Sequence, residues 1–235
     1  MKILILIYSL DAGGAEKVTS LLSNYLSQRG FSITILTISA TKSFFDFDQN
    51  IQIESLNLSR ESNGLFSAVR NNLLRIIEIR KVLKKLQPDI ALSMMTSANI
   101  LLGLSSINLK NLSLIGSERS NPAQENISKI RFFLRKYVYR NFTYIVAQTP
   151  FAYDWLSKNT FSRKIELIEN PVEWPINSLG EQNFIKPILN DKKILLAVGR
   201  VSEEKGFFEL LKIFDQLVYQ YEIENWQLVI LGDGP

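Results

Sequence analysis

Cysteine and histidine are both absent from this chain of 235 residues. Without cysteine it can form no disulfide, no thiolate metal site, no iron–sulfur cluster and no cysteine nucleophile. Without histidine it has neither a Ser-His-Asp triad nor a histidine ligand for zinc or haem. Chemistry on this chain therefore has to use carboxylates, lysine, arginine, hydroxyls, backbone amides or a bound cofactor.

Long apolar runs are also lacking, because no segment reaches the roughly 18 apolar residues that cross a bilayer. The apolar start, residues 1–8, leads into Asp11-Ala12-Gly13-Gly14 rather than into a small-residue cleavage site. We therefore interpret it as a buried strand and not as a secretory signal. With neither a signal nor cysteine, the sequence favours a cytoplasmic protein.

The 27 basic and 23 acidic residues are unevenly distributed along the chain. Residues 1–170 contain 21 basic and 13 acidic side chains, whereas residues 171–235 contain 6 and 10. An apolar content of 46% is typical of a globular protein with a core. The charge asymmetry predicts two domains, of which the first faces an anionic partner.

Apolar strands alternate with amphipathic helices through residues 1–170. Strands are predicted at 2–8, 31–38, 51–56, 89–93, 112–116, 144–147 and 164–168. Helices are predicted at 15–29, 67–86, 98–107, 126–141 and 150–158. This alternation is typical of an α/β domain built on a doubly wound parallel sheet.

The regular pattern lapses at residues 171–190, where prolines and a glycine follow no helical or strand period. We interpret this segment as an interdomain linker. Residues 191–235 then form an incomplete second domain, with strands at 193–198 and 226–231 around a helix at 205–219. About 45 residues are too few to bury both faces of such a sheet. This β-α-β unit is expected either to dock on the first domain or to be a fragment.

Two adjacent glycines, Gly13 and Gly14, lie between the first predicted strand and the first predicted helix. Backbone N–H groups at a helix start are unpaired, and the helix dipole is positive there. Glycine lets an anion approach that backbone closely, so the pair is a candidate phosphate site. The spacing is not GxGxxG, and a tight turn that needs positive φ explains the glycines equally well.

The loop at residues 199–206 has the same placement in the second domain and contains Arg200 and Lys205. These cations are predicted at the carboxyl edge of the sheet, where open α/β folds bind ligands. Two cations beside a helix N-terminus suit a diphosphate. The alternative is a solvated loop in which Lys205 pairs with Glu203 or Glu204.

A polar segment at residues 117–122 follows the strand that ends at Gly116. Functional loops of a parallel sheet cluster at this edge. Its residues Glu118 and Arg119 are therefore candidates, and Arg119 suits an acceptor sugar or a phosphate. The alternative is a loop that only caps the next helix.

The predicted helix across residues 129–140 contains five basic side chains, no acidic ones, and interleaved aromatic residues. Basic aromatic helices bind anionic membrane surfaces. Nucleic acid is attracted by the same charge, but no nucleic-acid-binding motif is present, so we expect no such partner. The alternative is an aromatic stripe that faces the core. The basic residues are Lys129, Arg131, Arg135, Lys136 and Arg140.

Taken in order, five stretches of this chain resemble the nucleotide-sugar glycosyltransferases of family 4. The resemblance implies the GT-B fold, with two Rossmann-like domains, and a role in bacterial surface polysaccharide, lipopolysaccharide or lipid-linked glycans. It spans nearly the whole chain. The stretches are Gly13-Gly14-Ala15-Glu16, Ser117-Glu118-Arg119-Ser120-Asn121-Pro122, Ile168-Glu169-Asn170-Pro171-Val172, residues 198–206 and Leu231-Gly232-Asp233-Gly234-Pro235.

The resemblance assigns roles on the donor side. Arg200 and Lys205 match the pair that grips the donor diphosphate in this family, where they are the catalytic cations that stabilise the departing nucleoside diphosphate. Gly13 and Gly14 match the loop that closes over the donor phosphates. The resemblance implies a nucleotide-sugar donor, UDP-linked, with no metal ion and no other cofactor.

On the acceptor side, Glu118 and Arg119 lie in the loop that borders the acceptor in relatives. The family retains the anomeric configuration through front-side attack within the donor pocket. Many relatives have a histidine near this loop, which this chain lacks, so another group such as the donor phosphate has to remove the acceptor proton. The implied acceptor is a lipid-linked or growing saccharide, reached by a protein peripheral to the inner face of the cell membrane.

Family members continue beyond the Gly-Asp-Gly-Pro stretch with further strands and helices, including a glutamate pair that holds the donor sugar and ribose. By the symmetry of a two-domain fold, about 100 residues are missing here. We therefore expect little or no transferase activity from this chain, unless a partner chain supplies the rest. The alternative function is a non-catalytic basic module that binds a membrane or a partner chain. A sugar-nucleotide epimerase of the same fold is less favoured, because such enzymes rely on histidine.

Overall fold

A computed structural model describes residues 1–40, 42–59, 64–125, 127–172, 192–221 and 225–234. The chain divides into two compact units, residues 1–172 and 173–235. Residues 173–190 of the predicted linker lie outside the described residues. In the part of the chain that is described, no helix is both long and apolar enough to cross a bilayer.

The first unit is built on a seven-stranded sheet in which every neighbouring pair of strands is parallel. The strand order is β3-β2-β1-β4-β5-β6-β7, so the direction of winding reverses between β1 and β4. The prediction of a doubly wound parallel α/β sheet is confirmed. The strands are β1 (Lys2–Ile7), β2 (Ser32–Thr37), β3 (Gln52–Ser55), β4 (Ile90–Met94), β5 (Ser113–Ser117), β6 (Tyr144–Ala147) and β7 (Ile165–Leu167).

Five helices connect these strands, and local signals in the sequence set several of their ends. The side chain of Ser128 caps the fourth helix by accepting from the Arg131 N–H. Thr149 caps the fifth in the same way, with Pro150 at its first position. The helices are α1 (Gly14–Gln28), α2 (Leu65–Leu86), α3 (Thr96–Ser105), α4 (Lys129–Val138) and α5 (Pro150–Asn159), with a 3₁₀ turn at Tyr139–Asn141.

Hydrophobic cores cover both faces of this sheet, because alternate residues of a strand point to opposite sides. On one face Ile3 and Ile5 of β1 pack with α1 residues such as Leu22. On the other face Leu4 and Leu6 pack with residues of α2 to α5. A sheet buried on both faces requires the continuous apolar strands that the sequence shows.

The second unit contains a parallel pair of strands and one long helix among its described residues. Its strands are β8 (Lys193–Val198) and β9 (Trp226–Leu231), paired from Lys193 with Trp226 to Val198 with Leu231. A 3₁₀ turn at Glu203–Lys205 precedes α6 (Phe207–Tyr221), and α6 has no buried residue. Among the described residues of this unit, the apolar strands β8 and β9 contain no buried residue.

Candidate functional site

The loops that follow the strands of the first unit meet at the carboxyl edge of its sheet, since all seven strands run in the same direction. Glu118 and Arg119 come directly after β5. Gln148 follows β6, and Asn170 lies beyond β7. Side chains that are far apart in sequence are brought together at this edge.

Arg119 is held in place by its neighbours on this edge. Its guanidinium donates to the side-chain oxygen of Asn170 and, at 3.4 Å, to the Ser117 hydroxyl. When the side-chain amide of Gln148 is rotated by about 180°, which exchanges its oxygen and nitrogen, the oxygen accepts from Arg119 Nη2 at 2.8 Å. Partial burial lowers the pKa of Arg119, and the nearby Glu16 carboxylate opposes that shift. The structure thus presents a fixed cation where an acceptor-side residue was predicted.

Glu118, by contrast, points into the protein. Its carboxyl group is only 1% exposed, and it accepts from the Tyr139 hydroxyl and lies 2.9 Å from the Thr96 hydroxyl. Burial raises the pKa of Glu118. Of the two predicted acceptor-side residues, only Arg119 is reachable from solvent in this structure, while a direct acceptor contact for Glu118 stays a prediction.

The glycines before α1 are not explained by a strained turn. Gly13 is extended, with φ −170°, and Gly14 is the first residue of the helix, so neither has positive φ. A methyl group added at Gly14 would meet no atom within 4 Å, whereas one at Gly13 would contact the Glu16 side chain. Neither the backbone nor the packing requires glycine at position 14. A phosphate contact at Gly14 stays a prediction.

Arg200 and Lys205 lie in the loop that follows β8, and both side chains are exposed. Among the side chains that the structure describes, neither cation is ion-paired, so the alternative pair with Glu203 is absent. The side chain of Glu204 lies outside the described residues. Backbone hydrogen bonds from Gly199 and Val201 tie this loop to the end of β9. The two cations are therefore available to a ligand of the second unit.

Helix α4 presents an exposed face on which aromatic and basic side chains alternate. The Phe133 and Tyr137 rings lie 4.4 Å apart, and Phe161 packs on Tyr137 at 5.1 Å. Lys136 lies over the Phe161 ring at 5.1 Å. We call this the α4 face; its members are Lys129, Ile130, Phe133, the half-buried Lys136 and Tyr137 of α4, together with Arg140 of the 3₁₀ turn and Phe161 after α5. Arg131 is also exposed on α4.

The prediction that Arg135 belongs to a membrane-facing surface is wrong. Its side chain is 1% exposed, pairs with Glu125 at 3.0 Å, and lies over the Trp155 ring at 4.5 Å. Position 135 is three residues before buried Val138, so both lie on the side of α4 that packs against the protein. Counting basic residues along a helix does not reveal which side of it is covered.

Several polar residues behind the carboxyl edge were not predicted from the sequence. Thr96, Asn99 and Tyr139 are each no more than 1% exposed, and they surround Glu118. The polar Asn99 in the otherwise apolar predicted helix at 98–107 was the available signal, because buried polar groups need partners; Thr96 lies before that predicted helix and gave none. Asn170 lies in one of the five stretches that carry the family resemblance, but nothing in the sequence placed it beside Arg119, and Gln148 had no signal at all.

A Rossmann-like parallel sheet, with a glycine pair after β1 and polar loops at its carboxyl edge, first places the first unit among the doubly wound α/β domains. Two family models then match the chain, one described as Glycosyltransferase Family 4 over residues 12–173 and one as Glycosyl transferases group 1 over residues 180–235. The chain belongs to Glycosyltransferase Family 4. The resemblance carried by its motifs is thereby confirmed.

Individual relatives agree with the family assignment. The GalNAc-α-(1→4)-GalNAc-α-(1→3)-diNAcBac-PP-undecaprenol α-1,4-N-acetyl-D-galactosaminyltransferase of Campylobacter jejuni is 28% identical over 236 residues. That match covers 100% of this chain and 62% of the relative, so this chain spans about three fifths of the relative's length.

Solved structures of glycosyltransferases share the fold. Sucrose-phosphate synthase from Thermosynechococcus elongatus has a TM-score of 0.77 at 14% identity, covering 98% of this chain and 62% of the synthase. HepE from Anabaena, in complex with UDP and glucose, has a TM-score of 0.67 at 15% identity, covering 100% and 62%. These similarities confirm the predicted GT-B type of α/β fold.

Proposed function

We propose that this chain is part of a retaining glycosyltransferase that moves a sugar from a UDP-linked donor to a lipid-linked or growing saccharide of a surface polysaccharide or lipopolysaccharide. The observation that carries the proposal is the match of both family models, in order, across the two units. Supporting it, the Campylobacter relative is named for an undecaprenyl-diphosphate-linked substrate, and the HepE structure contains UDP and glucose.

On the donor side, Arg200 and Lys205 bind the diphosphate. Both are exposed and without ion-pair partners among the described side chains, so binding breaks no internal pair. Negative charge develops on the diphosphate as the sugar departs, and the two cations stabilise that charge without a metal ion. Within the first unit, the N–H groups at the start of α1, beside Gly14, are a separate candidate phosphate contact.

In the proposed reaction the acceptor hydroxyl attacks the anomeric carbon on the face from which the diphosphate leaves. The bond between that carbon and the phosphate oxygen breaks, and the configuration is retained. The acceptor proton passes to the departing phosphate oxygen, since the chain has no histidine to take it. Arg119, held by Asn170 and Ser117, orients an anionic or hydroxyl-rich acceptor.

Binding of UDP to the 235-residue chain tests the donor site directly. Charge-assisted hydrogen bonds contribute about 1.5–3 kcal/mol each, so Arg200→Ala and Lys205→Ala are each expected to weaken UDP binding by about 10- to 100-fold. Isothermal titration calorimetry measures the affinity. Lys212→Ala is the matched control, because Lys212 is an exposed lysine of the same unit that packs on Phe208. Equal affinities in all four proteins would refute the assigned donor site.

We further propose that the α4 face attaches the protein to the inner face of the cell membrane. Exposed rings with flanking lysine and arginine suit a surface of anionic lipid headgroups. Co-sedimentation with vesicles of phosphatidylglycerol and phosphatidylcholine is expected to fall on replacing Lys129, Lys136 and Arg140 by alanine. Lys42→Ala, an exposed lysine outside α4, is the control. Equal binding of neutral vesicles would contradict an electrostatic attachment.

The same two experiments separate the transferase from the alternative function. A chain that binds anionic vesicles but not UDP fits a non-catalytic basic module that docks on a membrane or on a partner chain. A chain that binds UDP through Arg200 and Lys205 fits the transferase, whether or not it also binds vesicles.

A further inference from the structure

A buried polar cluster lies directly behind Arg119 and joins three parts of the first unit. It connects the start of α3, the loop after β5, and the end of α4 with its 3₁₀ turn. Apart from Glu125, whose side chain is 21% exposed, every member is no more than 1% exposed. We call it the Glu118 cluster; its members are Thr96, Asn99, Glu118, Glu125, Arg135 and Tyr139.

The hydrogen count at Thr96 points to an additional proton in the cluster. The Thr96 hydroxyl oxygen lies 2.9 Å from Glu118 Oε2 and 2.7 Å from Glu125 Oε2. A hydroxyl has one hydrogen, and an ionised carboxylate can only accept. Thr96 therefore donates to one carboxyl group, and the other has to donate to Thr96. One of the two glutamates carries a proton.

The surroundings identify Glu118 as the protonated member. Glu125 faces Arg135 Nη1 at 3.0 Å and reaches solvent, so a negative charge is stabilised there. Glu118 is fully buried, and its Oε1 already accepts from the Tyr139 hydroxyl. Tyr139 in turn accepts from the Asn99 amide at 3.0 Å. With a proton on Glu118 Oε2, every contact in this chain of hydrogen bonds has one donor and one acceptor.

The charged groups around Glu118 agree with that assignment. Burial is the main cause that raises the pKa of Glu118, and the neighbouring Glu125 carboxylate raises it further. The hydrogen bonds that Tyr139 and Thr96 can donate to an ionised Glu118, and the charge of Arg135, act in the opposite direction. The phenol of Tyr139 stays protonated as well, because burial and the nearby Glu118 raise its pKa well above the usual value.

The cluster fixes two loops of the carboxyl edge. Met95 precedes Thr96 and has φ 76° and ψ 154°, a conformation that a residue with a side chain keeps only under constraint. Its N–H donates to the Ser117 carbonyl at 2.9 Å, next to Glu118. We propose that Glu118 is a positioning residue that works as a neutral carboxylic acid, joining the Met95–Thr96 loop to the Ser117–Glu125 loop and so fixing Arg119 for the acceptor.

This role rests on the proposed function at one point, the proposal that Arg119 contacts the acceptor. Loss of the Glu118 proton puts a second negative charge beside Glu125 and leaves the contact with Thr96 without a hydrogen. The buried Arg135 side chain then has two carboxylates near it, of which Glu118 is shielded from solvent. We expect the two loops to separate and Arg119 to move as the pH rises through the titration of Glu118.

The first test is infrared spectroscopy of the 235-residue chain at neutral pH, which detects the carbonyl stretch of a protonated carboxylic acid. Glu118→Gln is expected to remove that band. Glu166→Gln, at an exposed carboxylate of β7 paired with Lys164, is expected to leave it unchanged. A spectrum with no such band, or one that E118Q does not alter, would overturn the proposal.

The second test compares stability against pH in the wild type and E118Q. Glutamine keeps the shape of the acid, donates to Thr96 and accepts from Tyr139, so E118Q is expected to fold and Glu118→Ala to be less stable. The folded-state pKa of Glu118 lies above its unfolded value. Below the unfolded pKa of Glu118 this group costs the wild type no stability. As the pH rises from there towards the raised folded-state pKa, the free energy of unfolding of the wild type is expected to fall relative to that of E118Q. Parallel pH profiles, or failure of E118Q to fold, would contradict a neutral acid.

The positioning role has its own readout, the NMR signal of the Arg119 Nε–H group. It is expected to shift with pH in wild type, in step with the infrared band, and to stay constant in E118Q. A signal that titrates identically in both would leave Glu118 with no effect on Arg119 and refute the role. None of these measurements needs sugar transfer, so a failure to bind UDP would refute the donor site and leave this result standing.

Discussion

Strands β1 and β8 have almost the same sequence character and very different surroundings. KILILI in the first unit has five buried residues out of six, whereas KILLAV in the second has none. Strand β1 lies between β2 and β4, with α1 on one face and α2 to α5 on the other. Among the described residues of the second unit, β9 is the only strand beside β8. The local sequence specifies a strand, but the number of packed neighbours decides whether the strand is buried.

The same contrast applies to charged groups. In the first unit the burial of a carboxyl group and a guanidinium creates the Glu118 cluster, in which every proton has a defined place. In the second unit the side chains of Arg200 and Lys205 are exposed. Removing a buried charged group of the Glu118 cluster is therefore expected to lower the free energy of unfolding. Removing Arg200 or Lys205 is expected to change it little, because exposed charges contribute little to stability.

The largest expected effect tests the comparison between the two strands. Leu6→Ala removes a fully buried side chain of β1 and is expected to lower the free energy of unfolding by about 4 kcal/mol. Leu196→Ala in β8, where the side chain is 55% exposed, is expected to cost less than about 1 kcal/mol. Urea unfolding followed through NMR signals of each unit measures both. Equal costs would mean that the β8 surface is covered in solution.

The next effect compares a buried cation with an exposed one. Arg135→Ala leaves Glu125 without its partner and removes the contact with Trp155, so a loss of about 3 kcal/mol is expected. Because Glu125 is partly exposed, the expected loss of unfolding free energy lies at the low end of the range for breaking a buried ion pair. Lys212→Ala, an exposed cation over the Phe208 ring, is expected to cost less than about 1 kcal/mol. Chemical denaturation of both variants decides the comparison, and a small loss for R135A would mean that Glu125 finds another partner.

Most of the fold followed from the sequence, because its elements are marked locally. Strands β6, β8 and β9 lie at the predicted bounds, since each is an apolar run between polar or glycine-rich segments. Helix ends were less predictable. Helix α6 begins at Phe207 and not at residue 205, because residues 203–205 form a 3₁₀ turn and Gly206 takes φ +67°. Such a turn depends on backbone geometry that hydrophobic periodicity does not report.

The candidate site was predicted in part. Arg119 and Arg200 each follow a strand of their own sheet, β5 and β8. Their positions at the carboxyl ends of these strands were predicted from the rule that the loops after parallel strands lie at one edge of a sheet. The burial of Arg135 and Glu118 could not be derived, because it depends on which side of α4 packs against the protein. Asn170 and Gln148 come from loops that meet Arg119 only after the sheet has formed.

The smallest expected effect compares a glycine at the start of each of two helices, Gly14 of α1 and Gly206 directly before α6. Gly206→Ala forces a side chain into left-handed backbone and is expected to cost about 1–2 kcal/mol. Gly14→Ala has open space and helical backbone, so stability is expected to stay the same or rise by up to about 1 kcal/mol. If Gly14 is glycine because phosphate approaches it, G14A nevertheless weakens UDP binding in calorimetry. Unchanged UDP affinity in G14A would remove the ligand explanation for this glycine, while a loss of stability in G14A would show that the backbone itself requires it.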